Sequence, residues 1–103
     1  MPDPETLSLV FSAVADPTRR ALLHALREQP STVTALASRF PVSLNAISKH
    51  LRVLERAHLV QRDIVGREHR ISLDVAPLAD AAAWLTQRWP SWRARRARRR
   101  ITR

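Results

Sequence analysis

The residues most able to do chemistry lie in "NAISKHLRVLE", positions 45–55. Read as a helix, this stretch has two opposed stripes. Leu44, Ile47, Leu51 and Leu54 form an apolar one; Asn45, Lys49, Arg52 and Arg56 form the other, with no acid among them. Ser48 and His50 stand on the two flanks. A solvated helix usually mixes charge signs on its outer face; this one carries no acid. Asn can bond adenine with two hydrogen bonds, and Arg or Lys can do the same to guanine. Ser48 and His50 are placed to reach phosphates on either side. Asn45 is near the helix N-terminus, the end that enters a DNA major groove, and Ser43 joins it there both as helix cap and as candidate contact. Arg56, at the far end, reaches backbone or water. The candidate chemistry is hydrogen bonding to duplex DNA.

Such a helix must be held by others. Leu7, Val10, Phe11 and Val14 have helical spacing and predict a helix over residues 5–14. In "ADPTRRALLHALRE", Asp16 is a good N-cap and Pro17 suits the first helical position, so a second helix runs to about Glu28, ended by Pro30 and Ser31. Thr34 is expected to cap a short third helix that turns Leu36 and Ala37 inward. Pro41 disfavours helix at Phe40 and makes a tight break, after which Ser43 caps the helix over 44–56. Two helices joined by a break of about four residues have helix-turn-helix spacing.

Beyond residue 59 the period drops to two. Val60, Arg62 and Ile64 alternate with Gln61, Asp63 and Val65; His69, Ile71 and Leu73 alternate with Arg70 and Ser72. Gly66 sits between the runs, where a hairpin turn needs positive φ. Arg67 at the tip, with Arg62 and Arg70 behind it, makes the hairpin basic; Asp63 and Glu68 can pair with these arginines and hold its shape. Pro77 opens a last helix in which Leu78, Ala82, Leu85, Trp89 and Trp92 are spaced four, three, four, three, a short coiled-coil-like seam interrupted by Pro90. The reading is a mainly α fold, a winged helix-turn-helix of about five helices with a two-stranded antiparallel hairpin wing. Residues 1–92 form one DNA-binding domain, followed by a basic tail over 93–103.

Composition narrows the alternatives. The chain has 103 residues and a single glycine, too few for a glycine-rich phosphate loop. It has no cysteine, hence no disulfide, thiolate metal site or cysteine nucleophile. No signal peptide or membrane span is read, and a cytoplasmic location is expected. The formal charge is +9, yet eight arginines and no acid fall between Arg88 and the end, which leaves the first eighty-seven residues at +1. The excess is a tail suited to a polyanion, or simply a solvated end.

Plainer readings compete at several residues. His24, His50, His58 and His69 lack a metal-ligand spacing, and surface or hairpin roles suit them. For His50 a phosphate contact is preferred to a structural hydrogen bond. Trp84, Trp89 and Trp92 could stack on bases, but their spacing favours core or dimer seam. Asp16 and Arg19 resemble a catalytic pair only superficially, since a capped helix start explains both. No nucleophile, base and orienting group occur together, so an enzyme is not expected.

The chain resembles the ArsR-type winged helix-turn-helix repressors in "FSAVADPTRRALLHAL", "TALASRFPVSLNAISKHLRVLERAHLV" and "HRISLD", across most of residues 10–75. The resemblance implies a homodimer built from the first and last helices, with Leu7, Val10, Phe11, Leu78, Leu85 and Trp89 at the interface. It implies a two-fold operator on double-stranded DNA, with contacts from Ser43, Asn45, Ser48, Lys49, His50 and Arg52 and, at the wing, Arg62 and Arg67. Many relatives carry glycine where this chain has His58. Metal-sensing relatives use third-helix cysteines or acid and histidine ligands on the last helix; here Thr32 and Thr34 stand in the third helix, and the last has Asp80 but no histidine, so no metal or cofactor is expected. The alternatives are a nonspecific nucleic-acid binder dominated by the arginine tail and a protein-interaction module.

Overall fold

A computed structural model describes residues 2–89. Pro90, Trp92 and the basic tail, and with them the proposed boundary at 92, lie outside the described residues. Five helices and three short strands follow in the order α1 (Pro4–Val14), α2 (Pro17–Glu28), β1 (Ser31–Thr32), α3 (Val33–Ser38), α4 (Leu44–Arg56), β2 (Val60–Val65), β3 (Glu68–Leu73) and α5 (Ala76–Arg88).

Local chemistry sets the helix starts. The carboxylates of Asp3 and Asp16 accept from the N–H groups of Thr6 and Arg19, with a proline at the start of each helix. Ser43 caps α4 through the Ala46 N–H at 3.1 Å. At α3 the cap is Thr32, which accepts from Ala35 N–H, and not Thr34 as expected. Thr34 lies inside the first turn, where its hydroxyl meets that of Thr32 at 3.3 Å.

The end of α4 closes on His58, whose φ is 60°. The His58 N–H donates to Glu55 O and the Leu59 N–H to Leu54 O, both at 3.0 Å, the paired bonds of a Schellman ending. Leu54 and Leu59, the two apolar residues that such an ending brings together, are both fully buried. A left-handed histidine therefore does the work usually given to glycine.

β2 and β3 pair antiparallel from Val60↔Leu73 to Val65↔Glu68, which leaves Gly66 and Arg67 as a two-residue loop. Gly66 has φ 62° and Arg67 does not share the positive sign, as a type II′ turn with glycine first requires. The sheet has a third member that the sequence reading missed: β1 pairs with β3 through Ser31↔Ile71 and Thr32↔Arg70. Two residues are too few to show a twofold period, and the reading had spent Ser31 on ending α2.

The core gathers Leu22 and Leu26 of α2, Leu36 of α3, Ile47, Leu51 and Leu54 of α4, with Leu59 and Ile71 from the sheet side. No polar or charged residue is buried among the described residues. Three fully buried aliphatic side chains on α4 hold that helix by roughly 2 kcal/mol each. Leu44, counted in the same stripe from sequence, is instead half exposed. It is the first residue of α4.

Candidate nucleic-acid interface

The outward side of α4 carries Asn45, Lys49, Arg52 and Arg56, all exposed, while Ser48 is half-buried beside them. The hairpin stands next to the same helix. Between them is a groove of about 570 Å³, lined from α4 by Leu44, Ser48, Arg52 and Glu55 and from the wing by Arg62, Arg67 and His69. Four candidate contacts (Ser48, Arg52, Arg62, Arg67) therefore share one concavity. Ser43 and Asn45 stand at the N-terminal end of α4 and Lys49 on its exposed side.

Two arginines fix the position of α4, and sequence reading gave neither this task. Arg62 was read as a wing contact. Its Nε donates to Glu55 Oε1 of α4 at 2.6 Å and its Nη1 to His69 Nδ1 of β3 at 2.9 Å, with both ends of the ion pair about three-quarters covered. Arg62 is thus a strut that sets the wing against α4, with two of its five donors turned inward. Glu55, unassigned before, is its partner. The other acid pairing expected at the wing is present in part: Glu68 meets Arg70 at 3.6 Å with both side chains well exposed, a geometry that adds little to stability.

Arg19 is the second. Its Nε donates to Ala13 O at 2.8 Å and its Nη2 to Ser12 O at 3.1 Å, while Arg20 Nη1 donates to Val14 O at 2.7 Å. The last carbonyls of α1, which has no basic residue in its own last turn, are satisfied by cations from α2. The remaining arm, Nη1 of Arg19, meets His50 Nδ1 at 3.2 Å. The preference for a phosphate contact over a structural hydrogen bond at His50 thus divides between its two nitrogens: Nδ1 is spent inside the protein. Asp16 Oδ2 lies 3.9 Å from the same nitrogen. The Arg19 N–H holds the Asp16 carboxyl below the usual carboxylate range, against partial burial that would raise it, and the charges of Arg19 and His50 add to the effect. Capping explains Asp16, as read from sequence; it explains only part of Arg19. No local signal in the sequence marks the rest, because the partners of the Arg19 side chain lie on α1 and α4.

The candidate dimer residues fall into two groups. Leu7 and Val10 fill the protomer's own core and Leu78 is packed against it, so they have little surface left to give. Phe11, Leu85 and Trp89 remain 36%, 40% and 51% exposed. On α5 the buried small residue is Ala81, and Ala82 of the expected seam faces outward. Trp84 packs edge-on against Phe11 at 6.1 Å and against Trp89 at 5.6 Å, with Arg88 over its ring, an arrangement of packing and not of base stacking. Among the described residues no helix is long and apolar enough to cross a membrane.

Residues 14–62, from the end of α1 through the first residues of β2, match the model of a helix-turn-helix domain. The chain is 34% identical over 76 residues to the transcriptional repressor SdpR of Bacillus subtilis, covering 74% of this chain and 84% of that one. It is 39% identical over 79 residues to the HTH-type transcriptional regulator Rv2034 of Mycobacterium tuberculosis, covering 77% and 74%. Among solved structures, an ArsR family transcriptional regulator superposes with a TM-score of 0.81 at 35% identity, over 89% of this chain and 95% of its own. An ArsR-like regulator from Rhodococcus sp. RHA1 gives 0.77 at 36%, over 95% and 92%. An outward donor stripe on the second helix of a helix-turn-helix, a basic wing beside it and relatives of this kind lead to one conclusion: the chain is a DNA-binding transcriptional regulator of the ArsR family.

Proposed function

We propose that two copies of the chain bind a two-fold operator and repress transcription from it, in the cytoplasm of a bacterial cell. Each copy inserts the N-terminal half of α4 into a major groove, with Asn45, Lys49 and Arg52 toward base edges and Ser43, Ser48 and His50 toward flanking phosphates. Arg67 at the wing tip follows the backbone or enters the minor groove. Arg62 contributes by aiming the wing. The observation that carries this reading is the division of α4: Ile47, Leu51 and Leu54 fully buried on one side, and donors without an acid exposed on the other. The exposed apolar surface of Phe11, Leu85 and Trp89 supports pairing of two copies through α1 and α5, which would set half-sites about one helical turn, ~34 Å, apart. The arginines of the basic tail, residues 93–103, add phosphate contacts, and no metal or cofactor takes part.

The test is the affinity of the purified protein for its own upstream DNA against a scrambled duplex across a salt series. A preference of about a thousandfold for the upstream DNA supports operator recognition. Equal binding with a steep salt slope, abolished by truncation after residue 92, would transfer the function to the arginine tail. Absence of DNA binding at moderate salt would favour docking of a protein partner instead.

A further inference from the structure

We propose that Arg19 is a positioning residue for DNA recognition: it holds the His50 ring in one tautomer, so that Nε2–H is presented to a phosphate. The inference rests on the reading above, in which α4 enters the major groove.

A guanidinium carries five N–H donors and accepts nothing. At the 3.2 Å contact between Arg19 Nη1 and His50 Nδ1, the arginine must therefore donate and Nδ1 must accept. A neutral imidazole that accepts at Nδ1 carries its proton on Nε2. Among the described residues Nε2 has no protein partner, and no side-chain nitrogen or oxygen is buried without one, so Nε2 keeps contact with solvent. The result is a ring with one committed nitrogen and one free donor.

The guanidinium is itself held. Its Nε and Nη2 are fixed on Ala13 O and Ser12 O at the end of α1, and the planar fork then aims Nη1 in a set direction. The Arg19 backbone is pinned in turn by the Asp16 cap at 2.9 Å. His50, 31 positions further along the chain, sits on the flank of the donor stripe with its side chain about three-quarters covered. A ring so enclosed cannot find its orientation from solvent; α1 and α2 impose it. Without Arg19 the ring is free to turn and to place its proton on either nitrogen, and the fraction presenting Nε2–H falls.

The experiment has one arm without DNA and one with it. Long-range ¹H–¹⁵N NMR of the full chain, well above the ordinary imidazole pKa of about 6.5, reads the tautomer directly. The wild type should show His50 protonated at Nε2 only, and Arg19→Ala a mixture of tautomers. A wild-type ring protonated at Nδ1, or already mixed, would overturn the proposal whatever the protein does with DNA.

The second arm is a double-mutant cycle on operator affinity. His50→Gln supplies a terminal N–H in place of Nε2–H without needing a tautomer. Arg19→Ala should cost about tenfold in the wild-type background, one charge-assisted hydrogen bond, and little in the His50→Gln background. An equal loss in both backgrounds would mean that Arg19 only supports the fold, and the proposal fails; no loss in either would refute it as well. Arg19→Lys keeps the charge but not the fork, so should one variant fail to fold the cycle is run with lysine, with the same outcomes. If Arg52→Ala weakens binding while the Arg19 and His50 variants do not, the positioning role is lost and the groove reading survives. If none of the α4 variants matters, the groove reading itself is lost.

Discussion

α4 and α5 have equal lengths, and each buries an apolar stripe against the same core, yet their outward sides differ in kind. On α4 the inner residues Ile47, Leu51 and Leu54 are backed by Asn45, Lys49, Arg52 and Arg56. On α5 the inner residues Leu78, Ala81 and Trp84 are continued by Leu85, which stays exposed on the same side, with Ala82 at its edge, the capping Trp89 beyond and Phe11 of α1 alongside. One outward side is stable in water and suited to a polyanion. The other leaves large apolar area wet, a state that a second protein surface would relieve. Similar helices can thus be assigned different partners from the chemistry of the side that does not build the core.

The comparison breaks most severely if the shared inner side fails. Leu54→Ala should lower unfolding free energy by about 2–5 kcal/mol, because it opens a cavity under α4 and removes half of the Leu54–Leu59 contact at its end; denaturant titration measures this. A loss under 1 kcal/mol would show that the interior collapses around the site and that α4 is not held as described.

The outward sides are contrasted by a crossed pair. Arg52→Ala should leave stability within about 0.5 kcal/mol and cost about 1–3 kcal/mol of operator binding. Leu85→Asp should convert a dimer to monomers in sedimentation, with the protomer's thermal unfolding little changed. If Leu85→Asp leaves the sedimentation unaltered, the α5 side has some other occupant.

A smaller effect sharpens the account of the α4 terminus. His58→Gly should stabilise the protein by about 1 kcal/mol, because glycine accepts the left-handed backbone at no steric cost; a drop in melting temperature would mean that the imidazole makes a compensating contact. The smallest effect concerns Asp16. Its folded-state pKa is depressed, so its contribution is complete above the ordinary aspartate value of about 3.9 and fades as pH falls through the lower folded value. The gap in melting temperature between wild type and Asp16→Asn should close on acidification below that range. A gap constant with pH would assign the stabilisation to geometry and not to charge.

Much of the frame was legible because its causes are local. Asp16 with Pro17, and Ser43 before Leu44, mark helix starts within four residues of chain, and the observed α2 and α4 begin there. The hairpin followed from alternation around Gly66. Reading failed where the deciding neighbour is distant in sequence. Thr32 and Thr34 are equally good caps in isolation, and the pairing of Ser31 and Thr32 with β3 selects the first. Leu44 continues the apolar period of α4, yet it lines the open groove with Thr34 and is only half covered.

The order of every element but β1, the acid-free outward side of α4 and the need for a positive φ at Gly66 follow from the chain alone, since periodicity, capping and turn chemistry act over a few residues. Packing between distant elements turns Arg62 inward to Glu55, sets Ala81 and not Ala82 against the core, and ties α1 to His50 through Arg19. Periodicity gives a helix its sides but not its neighbours, and a hydrogen bond spanning 31 positions exists only once the packing of α1, α2 and α4 has brought its two ends together.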